Sequence, residues 1–442
     1  MDPIIQRIFS VIEEHRQEIL DFARDIYDHA ELGYKEYRTS ASFVSKMERL
    51  GLPLQTDLAI TGVKAYLNPN KANTASVALL GELDALRIPA QAHANPETGA
   101  AHCCGHHAQM AGLLGAAIAL SDKEVAAALD GQVIFFAVPA EEYGEVAFKK
   151  QLMKDGKIAY GGGKCELLRI GAFEDVDLAV AHHITTAPGI HLGTGSGNGF
   201  VSKVITIHGR AAHAASCPEK GVNALSAASL GLQALALNRE TFRDEDCVRV
   251  HPIMTRGGDL VNVVPETAVI ETLVRGKTLE AIEDASKKTD RSFYAGALAL
   301  GAGITIETMP GYLPSLPQGT PEAIVQAISD AFPLDSIHIV DQKSHIGGST
   351  DVGDVQHLMP VFTFRTGGAV GGLHSSNFDI SDEENAYLDA ARIFAIYAYE
   401  LLKNGATLVR KAKREYTPHF PDAESYSVYL EQFQSIREEV LL

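Results

Sequence analysis

GQVIFFAVPAEE, residues 131–142, is the stretch that decides the architecture of this chain. An unbroken apolar run from Val133 to Val138 stops at Pro139 and is followed by two carboxylates, Glu141 and Glu142. A run this short and this apolar reads as a strand buried on both faces, as in a parallel sheet. Outward from it, SVALLGELDAL (76–86) and DLAVAHH (177–183) repeat the pattern, and AQMAGLLGAAIAL (108–120) reads as a helix between strands. Strands alternating with helices predict an α/β fold with a mixed, mostly parallel sheet and helices on both faces.

Further out, residues 3–50 read as two amphipathic helices, with Ile4, Ile5, Ile8, Phe9 and Ile12 at helical spacing and HAELGYKEYRTS (29–40) as the interruption. Near Gly199 the rhythm changes. VSKVITIHG is an alternating strand, VNALSAASLGLQALALNR a helix, VRVHPIMTRGG and TAVIETLVRG two strands, Lys277–Gly301 a long helix and GITIETM a strand. That β-α-β-β-α-β order predicts an inserted ferredoxin-like α+β domain. The expected division is a first part of a catalytic domain at 1–197, the inserted lid or dimerisation domain at 198–308, and the second part of the catalytic domain with a tail at 309–442. In that last part PEAIVQAISDAF reads as a helix, SIHIV and PVFTFRT as strands, and Asp382–Lys403 as a helix; helices are expected in the charged tail from 405.

The 442 residues carry a net charge of −18, from 38 Lys and Arg against 56 Asp and Glu. That sign disfavours nucleic acid and anionic membrane surfaces, both of which call for a basic patch. It leaves small anionic substrates open. Five cysteines, an odd number in a long chain, argue against a disulfide framework. The first twenty residues lack a cleavage signature, and no run approaches the ~20 apolar residues of a membrane span. The expected location is the cytoplasm.

The candidate chemistry sits where the strands end, which is where open α/β sheets place ligands. His102-Cys103-Cys104-Gly105-His106-His107 opens a helix, and thiolate and imidazole are good zinc ligands, with manganese, nickel or iron also open. Cys104 and His106 flank a glycine that lets both side chains aim at one point. Glu141 and Glu142 can divide the work, one binding metal and the other moving a proton. His183 ends DLAVAHH, and His374 lies in the glycine-rich GGAVGGLHSS (367–376). Asp84, in GELDAL, can steady a ligating histidine through its other ring nitrogen. Each motif alone has a structural alternative: a buried cysteine pair, a capping acid pair, a core histidine, a turn cap. Four strand ends of one sheet each offering a ligand is harder to assign to coincidence.

Taken in order, GELDAL, HCCGHH, VPAEE, AHH, GRAAHAA (209–215), NVVP (262–265) and GLHS (372–375) resemble the aminoacylase/carboxypeptidase family of co-catalytic metallopeptidases. The closer resemblance is to its amidohydrolase branch of auxin-conjugate, hippurate and aminobenzoyl-glutamate hydrolases. GGGK (161–164), GAFEDVD (171–177) and GGSTDVGDV (347–355) look most like the aminobenzoyl-glutamate group. The resemblance implies two divalent ions, zinc or manganese, with Cys104 as a bridging thiolate and His106, Glu142, His183 and His374 completing the ligands. It implies Glu141 as general base and Asp84 as a support for the ligands. His213 would stabilise the oxyanion, from the partner subunit of a homodimer formed through the inserted domain. Asn262 and Arg275 would contact substrate or support the dimer.

The expected activity is hydrolysis of the amide bond of an N-acyl or aminobenzoyl amino acid. A dipeptidase or N-acyl-amino-acid deacylase is the alternative, and a non-catalytic binding or regulatory subunit with the same fold is the reading from another class. Four features depart from the branch's usual pattern. His107 stands where aspartate or asparagine is usual and is a further ligand candidate. Cys103 replaces a small residue, Glu82 replaces aspartate, and YGEVAFKKQLMKDGKIAY (143–160) is long.

Overall fold

The computed structural model describes residues 1–439. The described residues form two compact units, one of residues 1–195, 316–344 and 354–423, the other of 196–315, 345–353 and the described residues from 424 on.

The first unit is built on an eight-stranded mixed sheet. Its strand order is Leu54–Leu58, Gly62–Leu67, Gln132–Val138, Ser76–Glu82, Leu178–Ile184, Val361–Thr366, Ile190–Leu192, Ile337–Ile339. The middle four strands are parallel neighbours. Side chains alternate between the sheet's two faces. Val77, Leu79, Val133, Phe135, Val180 and Phe364 join one core with Pro3–Glu14, Arg16–Asp28, His106–Leu120 and Asp389–Glu415. Their neighbours Leu80, Phe136 and Ala181 are buried too, and the Phe136 ring meets Phe173 at 5.1 Å on the other face. Every residue of His106–Leu120 is buried, as expected for a helix apolar on all sides. The expected first helix is two, broken at His15; no glycine or proline marks that break.

The second unit holds the antiparallel sheet Arg249–Val250, Thr267–Gly276, Gly199–His208, Gly303–Pro310, Ser435–Glu439, with Ile253–Arg256 also on Thr267–Gly276. Ala224–Leu237 and Leu279–Leu300 pack on it through Ala227, Ala228, Phe293 and Ala297. The helix expected from Lys277 starts after Thr278, whose hydroxyl caps it, and ends at Gly301 in a left-handed conformation. The strand expected over 248–258 is two short pieces, because Pro252 has no N–H to give the ladder. The tail also contains a strand, Ser435–Glu439, that the sequence reading does not include.

Candidate metal centre

In the central strands Glu82 pairs with Val138, Leu80 with Ala181 and Arg365 with His183. That register brings Glu82, the Pro139–Glu142 turn, His183 and the loop after Thr366 to one edge of the sheet. Alternation then sorts the paired residues. His182 points into the core, where Nε2 meets Thr366 Oγ1 at 2.8 Å, while His183 points to the site. Cys104 turns toward His183 because Gly105 takes φ 85°, and a Cβ there would lie 2.2 Å from Ile184 Cγ2.

Cys104 Sγ lies 3.3 Å from His183 Nε2 and 3.3 Å from His374 Nε2. His374 Nε2 is 3.1 Å from Glu142 Oε1. The other ring nitrogens are committed. His183 Nδ1 donates to Ile184 O at 2.7 Å, and His106 Nδ1 donates to Asp84 O at 2.8 Å with Asp84 Oδ1 3.3 Å away. Each Nε2 is thereby left as the inward-facing donor atom. Asp84 Oδ2 also accepts the Glu142 N–H at 2.9 Å, so one buried aspartate steadies two members of the site.

Three groups of side chains bring ligand atoms within 4.8 Å of one another: Cys104, His106 and His183; Cys104, Glu142 and His374; and Glu82, His106 and Glu141. The first two share the Cys104 sulfur. His106 Nε2 and Glu142 Oε1 are buried and make no hydrogen bond. A thiolate, imidazoles and carboxylates around such orphaned atoms fit a pair of divalent cations. Burial, then the Glu142 carboxylate, pushes the Cys104 thiol well above its ordinary range, and a bound cation reverses that cost by taking the thiolate as ligand. Burial, then His106, lowers His183 and favours the neutral form that binds metal.

The turn that carries Glu141 is braced on all sides. Ala140 sits at φ 49°, and its N–H donates to the fully buried Glu36 at 2.8 Å. A Cβ on Gly163 would meet Pro139 O at 1.7 Å, so only glycine fits beneath the turn. The long segment after Glu142 contributes the helix Val146–Lys154, from which Lys149 Nζ donates to Glu142 O at 2.6 Å. Glu141 Oε2 lies 3.9 Å from His106 Nε2.

His107 belongs to none of the three ligand groups. Its ring packs on Tyr27 at 4.6 Å, Nε2 meets Tyr387 OH at 3.2 Å, and burial lowers it to about 3, so it is a neutral core residue. His213, Asn262 and Arg275 lie in the second unit. His213 is exposed, and its Nδ1 accepts the N–H groups of Ala215 and Ser216, which turns Nε2 outward. Asn262 neighbours it, its carbonyl accepting the Ala214 N–H. Arg275 is at the other end of that sheet, pairing with Phe200 and donating to Ser349 Oγ at 2.7 Å. Glu36 and Gln109 have no role in the sequence reading, and Lys164 enters it only as the last residue of GGGK. Each is a polar residue within an apolar or turn segment, a signal visible only once its partner is known.

The family model described as Peptidase family M20/M25/M40 matches residues 78–400. A Xaa-Arg dipeptidase of Mus musculus is 27% identical over 373 residues, 79% of this chain and 76% of that protein. The IAA-amino acid hydrolase ILR1-like 4 of Arabidopsis thaliana is 25% identical over 414 residues, covering 89% and 88%. A solved dinuclear metal-binding peptidase of Bacillus subtilis superposes with a TM-score of 0.63 at 23% identity, covering 88% of this chain and 99% of that one. Among the described residues no helix is long and apolar enough to cross a membrane.

Proposed function

The chain belongs to Peptidase family M20/M25/M40, and from that premise we propose that it is a metal-dependent amidohydrolase releasing an amino acid from an N-acyl or aminobenzoyl group. The observation that carries this reading is the pair of ligand groups sharing Cys104, with the carboxylate of Glu141 beside them. The relatives named for dipeptides and for IAA-amino acids share one bond type, an amide next to an amino-acid carboxylate. The motifs at 161–177 and 347–355 favour an aminobenzoyl-glutamate-like substrate.

Cys104, His106, Glu142, His183 and His374 would hold two divalent cations, zinc or manganese, which when bound would supply Lewis-acid polarisation and lower the pKa of water toward neutrality. Glu141 takes the proton of the attacking water and delivers it to the leaving amine. Asp84 holds His106 and the Glu142 backbone in place. Glu36 and Gly163 hold the turn on which Glu141 sits, so the base is positioned before substrate arrives. His213 donates to the oxyanion, supplied by the partner subunit of a homodimer, with Asn262 and Arg275 in support. Exposed Leu237, Ile253, Leu260, Val261 and Leu298 on the inserted region support association there. Five free thiols fit a reducing cytoplasm.

The test is a hydrolysis screen of aminobenzoyl-glutamate, hippurate, acetylated amino acids and dipeptides, with manganese and zinc supplied in turn. Cleavage of the first at the highest kcat/KM supports the reading; a preference for dipeptides would shift it to the alternative activity. Glu141→Gln is expected to lower turnover by about 10²–10⁴-fold with metal content unchanged, and near-normal turnover would remove Glu141 from its role. His213→Ala is expected to lose about 10²–10³-fold. Mixed with the Glu141 variant in verified heterodimers, it should regain part of that activity.

A further inference from the structure

His374 stands apart from the other ligand candidates in how it is carried. It lies on a hairpin, between the short paired strands Ala369–Val370 and Asp379–Ile380, with Val370 and Leu373 exposed beside it. Its backbone is left-handed at φ 58°, a conformation that a histidine seldom adopts unaided. Two fastenings hold this hairpin. At the tip, the His374 N–H donates to Cys103 O at 2.9 Å. Near the base, Phe378 turns inward and is 1% exposed. A Cβ on Gly105 would lie 3.4 Å from Phe378 Cζ, so the ring rests against the turn that carries Cys104 and His106.

The Phe378 carbonyl is held by a side chain that has no part in the ligand set. Gln91 Nε2 donates to Phe378 O at 3.2 Å and to Tyr27 OH at 3.0 Å. The Tyr27 hydroxyl in turn faces Phe378 O and Asp379 Oδ1, each at 3.4 Å. The amide can point only one way, because Gln91 Oε1 accepts the His93 N–H at 2.5 Å and leaves the two N–H donors for the tyrosine and the hairpin. Gln91 and Tyr27 are both buried. The Tyr27 ring also packs on His107, the neighbour of His106, at 4.6 Å. We propose that Gln91 is a positioning residue for His374. Through Phe378 O and Tyr27 it keeps the hairpin in the conformation that presents His374 Nε2 to Cys104 and Glu142, and so sets the affinity of the cation on that side. A site that is competent only part of the time binds in proportion to that time. The His106 and His183 rings are oriented independently, by Asp84 O and Ile184 O. Loosening the pin therefore costs affinity at one cation and spares the other.

This role rests on the two-cation reading, and the experiment keeps the two apart. Metal content by inductively coupled plasma mass spectrometry, and the affinity of each ion by competition with a chromophoric chelator, are measured for the whole chain, for Gln91→Met and for Tyr27→Phe. The variants His374→Ala and His183→Ala, loaded with cobalt(II), identify by their visible spectra which ion is which. The expected result is two ions per wild-type chain. Gln91→Met should hold the ion that His374→Ala loses about 10–100-fold more weakly, as loss of a partner that orients a ligand typically does, with the other ion unchanged. Tyr27→Phe keeps the ring, removes the hydroxyl and should show the same selectivity. It decides the matter if Gln91→Met does not fold. Wild-type affinity for both ions in the folded variants would overturn the role of Gln91 and leave the enzyme reading intact. Equal weakening of both ions would overturn it as well, because a general loosening of the fold is not selective for one cation. Fewer than two ions in the wild type would remove the reading beneath it.

Discussion

At the scale of single residues, the centre depends on positions that tolerate no substitute for steric reasons and on buried acids that hold backbone in place. Gly105→Ala would require both a left-handed alanine and an overlap with Ile184, so loss of metal binding and a destabilisation of about 2–4 kcal/mol are expected, read by thermal melting of the metal-free chain. Glu36 offers a pH signature. Burial, then the charge of Asp84, pushes its carboxyl up to about 7. A folded-state pKa above the unfolded one means the native state holds the proton longer. Its contribution is therefore fully present below about pH 4.5 and is lost as pH rises through 7. Urea titrations of the metal-free wild type and of Glu36→Gln between pH 5 and 7.5 should show the variant gaining stability relative to the wild type as pH rises, and a pH-independent difference would remove Glu36 from that role. The sequence made the ligand candidates legible because cysteine, histidine and paired acids at strand ends are conspicuous. Glu36 was not, since one acid in a polar turn carries no mark of the Ala140 N–H it will serve.

At the scale of elements, periodicity carried most of the information. Alternation in Thr267–Gly276 and the apolar runs inside Ser76–Glu82 and Gln132–Val138 announce a half-covered and two fully covered strands. The strand Ser435–Glu439 reads SIREE, four of its five residues exposed, and has no apolar period of its own. Only the open edge of Gly303–Pro310 makes it a strand, which is a tertiary cause that local pattern does not report. Removing residues 424–442 should leave that edge unpaired, and light scattering is expected to show self-association that the full chain lacks. The helix Val146–Lys154 carries a second element-level consequence. Lys149→Met removes the donor to Glu142 O and should lower turnover several-fold together with about 1–3 kcal/mol of stability. Unchanged values for both would mean the helix does not brace the site.

At the scale of the whole chain, the α/β sheet and the β-α-β-β-α-β order of the inserted region both follow from the order of strands and helices in the sequence. What the order cannot give is register, and register is what aligns Glu82, Glu142 and His183 on one sheet edge. Chelation should therefore register as a large stability change: an ion present at 1,000 times its dissociation constant adds about 4 kcal/mol, so EDTA treatment is expected to lower the melting temperature of the first unit's transition while leaving any separate transition of the second unit in place.

The ligand groups also differ in when they can exist. Cys104, His106 and His183 are all synthesised before the inserted region, whereas His374 follows about 190 residues later. At typical translation speeds that gap lasts about 10–40 s. A nascent chain on the ribosome thus carries all three side chains of one ligand group well before the other group is complete in sequence. Metal acquisition in the cell would be ordered in time, with the ion near His183 taken first and the ion near His374 marking a finished polypeptide.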